Sequence, residues 1–176
     1  MYESSLEKSW VQNRGAACTS AALLAAIGAL GGRDLPDLAR ASRVLAGAEY
    51  AAPALLDYVS LPGRRAPLDV RLEALALEHG LQVRASTRVV APLWPLRPPA
   101  GGMLVVHLAW GQEAPGHYGS WGWRPLLPAS YSYGGHSVVL AEVEPRGWRV
   151  LDPNHPGIQN WPRPGVATAK TVIRPA

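Results

Sequence analysis

Apolar positions fall into two regimes along the chain. Residues 18–30 (CTSAALLAAIGAL) are apolar on every side, the pattern of a helix buried in a core, and Gly31-Gly32 stops it. A shorter amphipathic helix is predicted from Asp34 to Leu45, with Pro36 near its start. Residues 53–59 (PALLDYV) suggest a further turn or two. Beyond the PGRRAP loop, Leu68, Leu72, Leu75 and His79 recur at helical spacing, and Gly80 closes that helix. The second half changes period. Leu81 to Thr87, Met103 to Trp110, Ser137 to Glu144, Trp148 to Asp152 and Lys170 to Arg174 are predicted strands. Pro145-Arg146-Gly147 reads as a three-residue hairpin loop that puts Gly147 in the left-handed region. Residues 1–17 read as an irregular lead-in. Residues 111–135, rich in Gly, Ser, Trp and Tyr, read as a long loop of the kind that is usually functional or mobile. Helices followed by antiparallel strands predict an α+β domain. In it the N-terminal helices, with the buried one led by Cys18, pack on a C-terminal antiparallel sheet.

Length and composition agree with this picture. The 176 residues suit one domain, residues 1–176, and an apolar share of 48% is enough for a core. A charged share of 17% argues against a disordered chain or a coiled coil. The formal charge is +4, but Lys8 and Lys170 are the only lysines and the arginines are scattered, with one adjacent pair at Arg64-Arg65. A nucleic-acid binder gathers its charge on one face, so no nucleic-acid partner is expected. The first ten residues, MYESSLEKSW, carry acid and no apolar stretch, which is not a signal peptide. Residues 18–30 are too short to span a bilayer. The single cysteine excludes an internal disulfide, a Cys-rich zinc site and a CxxC pair, and fits a reducing, cytoplasmic setting.

That cysteine is the first candidate for chemistry. Cys18 opens the buried helix, where the helix dipole and unpaired N–H groups stabilise a thiolate. The alternative is a small buried thiol acting as a hydrophobe. A nucleophilic thiol needs a base and a group that orients it. Of five histidines, His79 lies at a helix end, His107 sits mid-strand in the core and His155 lies in a turn. His117 leads into GSWGW, which has no strand character. His136 leads straight into a strand and is the preferred base, since a loop-to-strand junction is rigid yet reachable. The orienting group would come from Asp152 or Asn154 in WRVLDPN, which otherwise reads as a turn. A loop over 145–147 sets Glu144 opposite Trp148 and His136 opposite Pro156. Asn154 is then the diagonal neighbour of His136, while Asp152 is offset by roughly 13 Å and needs a bulge to reach it.

The sequence from Gln12 to Leu23, Gly135-His136-Ser-Val-Val-Leu and Val150-Leu-Asp152-Pro together resemble the papain-like cysteine peptidase superfamily. The nearest branch is the bacterial C39-like, bacteriocin-processing type. The resemblance covers most of the chain, in the order Gln, Cys, His, Asp. It implies a papain-like fold and a Cys18-His136-Asp152 triad acting on a peptide or protein substrate without a cofactor. It also implies that Gln12, six residues before Cys18, helps to form the oxyanion hole. It favours Asp152 over Asn154 as the orienting group. Cys18-Thr19-Ser20 departs from the Cys-Gly-Pro of many C39-like sequences, and no transporter domain is present. The same triad would serve an amidase, a deamidase or a transglutaminase-like acyl transfer. A catalytically inactive binding module on the same scaffold is the third reading. Trp121, Trp123, Tyr131 and Tyr133 either flank the cleft or pack over the sheet edge. The histidines lack metal-ligand spacing, so no metal is expected.

Overall fold

A computed structural model describes residues 2–14, 17–45, 68–90, 95–114, 117–119, 136–162 and 166–176. Its helices are α1 (Tyr2–Lys8), α2 (Cys18–Gly31), α3 (Leu38–Val44) and α4 (Leu68–Glu78). Its strands are β1 (Val83–Val89), β2 (Met103–Ala114), β3 (His117–Gly119), β4 (His136–Glu144), β5 (Gly147–Leu151), β6 (Ile158–Trp161) and β7 (Val166–Pro175). The class is α+β, as the hydrophobic pattern predicts. Residues 53–59 and the aromatic positions 121, 123, 131 and 133 lie outside the described residues.

The helix α2 forms where its composition demands. Every residue from Cys18 to Ala29 is buried. Gly32 ends it in the left-handed region at φ 59°, and Arg33 N–H reaches back to the Gly28 carbonyl at 2.9 Å. The helix α3 starts at Leu38, later than Asp34. Asp37 is its N-cap and accepts from Arg40 N–H at 2.8 Å, which leaves Pro36 outside. The helix α1 replaces the expected irregular lead-in. It spans seven residues, too few to show a period, and it is anchored by Leu6, which is fully buried. On α4, Leu68, Leu72 and Leu75 all face the core.

Six strands lie in the order β1-β7-β2-β4-β5-β6, with β3 paired to the far end of β2. Every pairing is antiparallel. Four strands depart from expectation, β2, β3, β6 and β7. β2 continues to Ala114 and β3 folds back on it, so the segment expected to be loop from residue 111 begins as a hairpin that includes His117. β7 is twice the expected length, because it pairs on both sides, with β1 and β2. β6 has no counterpart in the sequence reading. Its four residues IQNW form an edge strand in which only Trp161 is buried.

The β4–β5 hairpin differs from the expected loop in a way that decides the site. Glu144 pairs with Gly147, so the turn holds two residues, Pro145 and Arg146. Gly147 is not in the left-handed region. Its missing side chain instead admits the Trp161 carbonyl of β6, which a Cβ would overlap. Farther along, the register shifts at Ala141, so that Leu140 pairs with Val150 and Val139 with Leu151. Shorter loop and bulge together move the pairing by two residues. Continued one step, this register makes Asp152 the diagonal neighbour of His136.

The sheet carries apolar side chains on both faces. On one, Val105, Val139 and Ile173 meet Leu23, Leu24 and Ile27 of α2 and Leu72 of α4. On the other, Leu104, Val106, Leu108 and Val138 gather with Trp148 and Trp161, whose rings stack with centroids 6.5 Å apart. Leu72→Ala is expected to destabilise the protein by about 2–5 kcal/mol in urea unfolding. Leu77→Ala on the same helix, where the side chain is 62% exposed, should change stability by less than about 0.5 kcal/mol.

Candidate active site

Cys18 is the first residue of α2, and no side chain caps the helix at Ala17. The positive end of the helix dipole favours negative charge beside it. The helix lies across β4 and β2, which brings Cys18 to the start of β4. His136 and Ser137 stand there. The Cys18 thiol is in hydrogen-bonding contact with the His136 ring, the Ser137 backbone and the Thr19 hydroxyl. Burial acts to raise its pKa, but these contacts and the charge of His136 outweigh it and pull the thiol below its ordinary value.

On its other side, the His136 ring is held by Asp152. His136 Nε2 donates to Asp152 Oδ1 at 2.8 Å, and both side chains are buried. That leaves Nδ1 as the ring nitrogen for Cys18. Burial works against a charged imidazole, but the hydrogen bonds and charges of Asp152 and Cys18 push its pKa up to about 9. The same Asp152 oxygen accepts from Asn154 N–H at 2.8 Å, a short turn that fixes the carboxylate. Its second oxygen, Oδ2, is buried without a partner among the described residues. The charge of the carboxylate is thus answered by His136.

The turn that carries Asp152 is clamped by the segment leading to Cys18. Trp10 Nε1 donates to the Asp152 carbonyl at 2.9 Å, and Asn13 N–H donates to the Pro153 carbonyl at 2.8 Å. Asn13 Nδ2 also donates to Asn154 Oδ1 at 2.8 Å. Asn154 therefore turns its side chain to Asn13, not to His136. Nothing in the lead-in sequence marks Trp10 and Asn13 for this role, since their partners lie more than 140 residues away.

Of the four expected site residues, the fold brings Cys18, His136 and Asp152 together. Gln12 is exposed and lines a cavity of about 530 Å³ with Trp10, Ala17, Asp34 and Asp37. This cavity ends one residue short of Cys18, at Ala17. His107 is wholly buried and its ring nitrogens are hydrogen-bonded to Ser137 and Thr171. Among the described residues, no three His, Cys, Asp or Glu side chains are grouped to hold a metal ion. No described helix is long and apolar enough to cross a membrane. Comparison with protein-family models finds no match, and no curated protein matches the sequence.

The buried charges make stability depend on pH. The folded-state pKa of His136 is raised, so its contribution is full below about pH 6.5 and is lost as the pH rises through about 9. Cys18 shifts downward, so its contribution is present above an ordinary thiol pKa and is lost as the pH falls through the lowered one. Asp152→Asn should destabilise the protein by about 3–5 kcal/mol near neutral pH, because the buried imidazolium loses the carboxylate that accepts from its Nε2. Urea midpoints should show this gap narrowing as the pH rises through about 9. A gap that stays constant from pH 6 to 10 would mean that the imidazolium is not stabilised by the carboxylate.

Proposed function

We propose that the chain is a cysteine-nucleophile hydrolase of the papain-like kind, nearest to the C39-like branch, and that it cleaves peptide bonds. One observation supports this above the rest. Cys18 is in buried contact with His136, whose far nitrogen is held by Asp152 at 2.8 Å. Nucleophile, base and orienting carboxylate thus stand in one line, as covalent acyl transfer requires.

The reaction follows from the contacts. The Cys18 thiolate attacks the carbonyl carbon, a C–S bond forms, and the π electrons move to the oxygen. A backbone N–H at the start of α2 would serve as a donor to that oxyanion. Gln12, on the rim of the neighbouring cavity, would supply a side-chain donor. His136 passes its Nδ1 proton to the leaving amine as the C–N bond breaks. Water then attacks the thioester, His136 takes a proton from it, and the thiolate leaves. Asp152 accepts from Nε2 and holds the imidazolium.

Incubation with a mixture of unstructured peptides, followed by mass spectrometry, tests the reading. New termini are expected with the wild type, and Cys18→Ala should reduce their rate of appearance by about 10⁴-fold or more. Intact peptides that gain about one dalton would identify a deamidase working through the same acyl-enzyme. Cleavage that persists in Cys18→Ala would overturn the assignment of the nucleophile. Tight binding of a peptide without turnover, unchanged in Cys18→Ala, would favour the inactive binding module.

A further inference from the structure

Beneath the site runs a line of hydrogen-bonded polar side chains through the core. Thr87 of β1 and Thr171 of β7 face each other in the sheet, hydroxyl to hydroxyl at 3.0 Å. Thr171 Oγ1 is 2.9 Å from His107 Nε2 on β2. His107 Nδ1 is 2.9 Å from Ser137 Oγ on β4, the residue paired with it in the ladder. Ser137 Oγ is 2.8 Å from Thr19 Oγ1 on α2. Thr19 hydrogen-bonds in turn to Cys18. His107, Ser137, Thr19 and Thr171 are each fully buried. The line joins the residue after Cys18 to the residue after His136.

Hydrogen-bond accounting gives this line a direction. Burial alone pushes His107 down to about 3, so its ring is neutral, with one nitrogen donating and the other accepting. No charge contributes to that shift. Each hydroxyl has one proton to give along the chain. If the proton sits on Nδ1, His107 donates to Ser137, Ser137 to Thr19, and Thr19 to the sulfur. On the far side Thr171 donates to Nε2, and Thr87 to Thr171. If it sits on Nε2, every one of these bonds reverses and the Thr19 proton turns away from Cys18. A thiolate accepts and cannot donate, so it selects the first arrangement.

We propose that His107 is a positioning residue for Cys18: as the Nδ1–H tautomer it aligns a directed chain, Thr87 to Thr171 to His107 to Ser137 to Thr19, that presents a hydroxyl proton to the thiolate. The role rests on the reading of Cys18 as a nucleophile. It acts through orientation and moves no proton to substrate. Among the described residues, the charged groups around the thiolate are His136 from β4 and, through it, Asp152 after β5. Around His107 the packed elements offer hydroxyls, from β4 and β7.

Cys18 is the sole cysteine, so iodoacetamide labelling against pH reads its ionisation without ambiguity. His107→Leu and Thr171→Val should each raise the apparent pKa of Cys18, by about one unit for His107→Leu, which is about a tenfold loss of labelling rate below that pKa. Thr171→Ser, which keeps the hydroxyl, should restore the wild-type profile. A wild-type pKa near 8.5 would sink the nucleophile reading itself. A lowered wild-type pKa that neither substitution moves would sink the His107 proposal alone. The wild type gives a second answer even if these variants fail to fold. Long-range ¹H–¹⁵N spectra should show the His107 proton on Nδ1 at neutral pH, and an Nε2–H or doubly protonated ring would overturn the proposal.

Discussion

A helix with no polar face must be buried on every side, and that constraint organises this protein. The helix α2 has buried side chains from Cys18 through Ala29, so sheet and helices have to enclose it. Each of its larger side chains contributes about 1.5–3 kcal/mol by leaving water. Such a helix is held rigidly along its length, and its first residue is placed as firmly as its middle. The Cys18 thiol therefore needs no loop to position it. Because the helix lies across β4 and β2, its N-terminus meets the start of β4, where a strand residue can face the sulfur.

Burial at that junction has an electrostatic cost, which the site answers by pairing. A buried thiolate or a buried imidazolium alone would be expelled or neutralised. Together, with Asp152 on the far side of the ring, each favours the charge of the other. Removing His136 would leave two buried groups of like charge with no cation between them. The carboxylate is also held from behind. Trp10 and Asn13 bind the backbone that carries it, so the segment containing Gln12 is tied to the orienting group. The lead-in, the helix and the β5 turn thus share one set of hydrogen bonds.

The parts that were legible in the sequence are those set by local composition. The run of apolar residues gave α2, the Leu68-Leu72-Leu75 spacing gave α4, and Val/Leu-rich stretches gave the centres of β2 and β4. Cys18 at a helix start and His136 at a strand start follow from the same patterns. What escaped depends on partners far along the chain. α1 is too short to carry a period, and β6 is an edge strand with little to bury. The choice between Asp152 and Asn154 turned on one bulged residue, Ala141, and on a turn one residue shorter than expected. Neither has a local signal. Simple register favoured Asn154, and the family resemblance favoured Asp152. The fold puts Asp152 on the ring and sends Asn154 to Asn13.

Two histidines in this sheet show how little of such chemistry lies in the residue type. His107 pairs with Ser137 and His136 pairs with Leu108, so they are neighbours across the same β2–β4 ladder. Both are almost wholly buried, and burial pushes both toward neutrality. Yet one is held down at about 3 and the other is raised to about 9. The difference is the company each ring keeps. His107 meets hydroxyls, which can satisfy a neutral ring at both nitrogens but cannot compensate a charge. His136 meets a carboxylate on one side and a thiol on the other, which stabilise the imidazolium. The same sheet thus holds one imidazole toward the neutral form and its neighbour toward the charged form. A one-residue change in the β4–β5 register would take Asp152 away from His136 and leave the hydroxyls around His107 in place, so the bulge at Ala141 bears on the charge of one ring and not of the other.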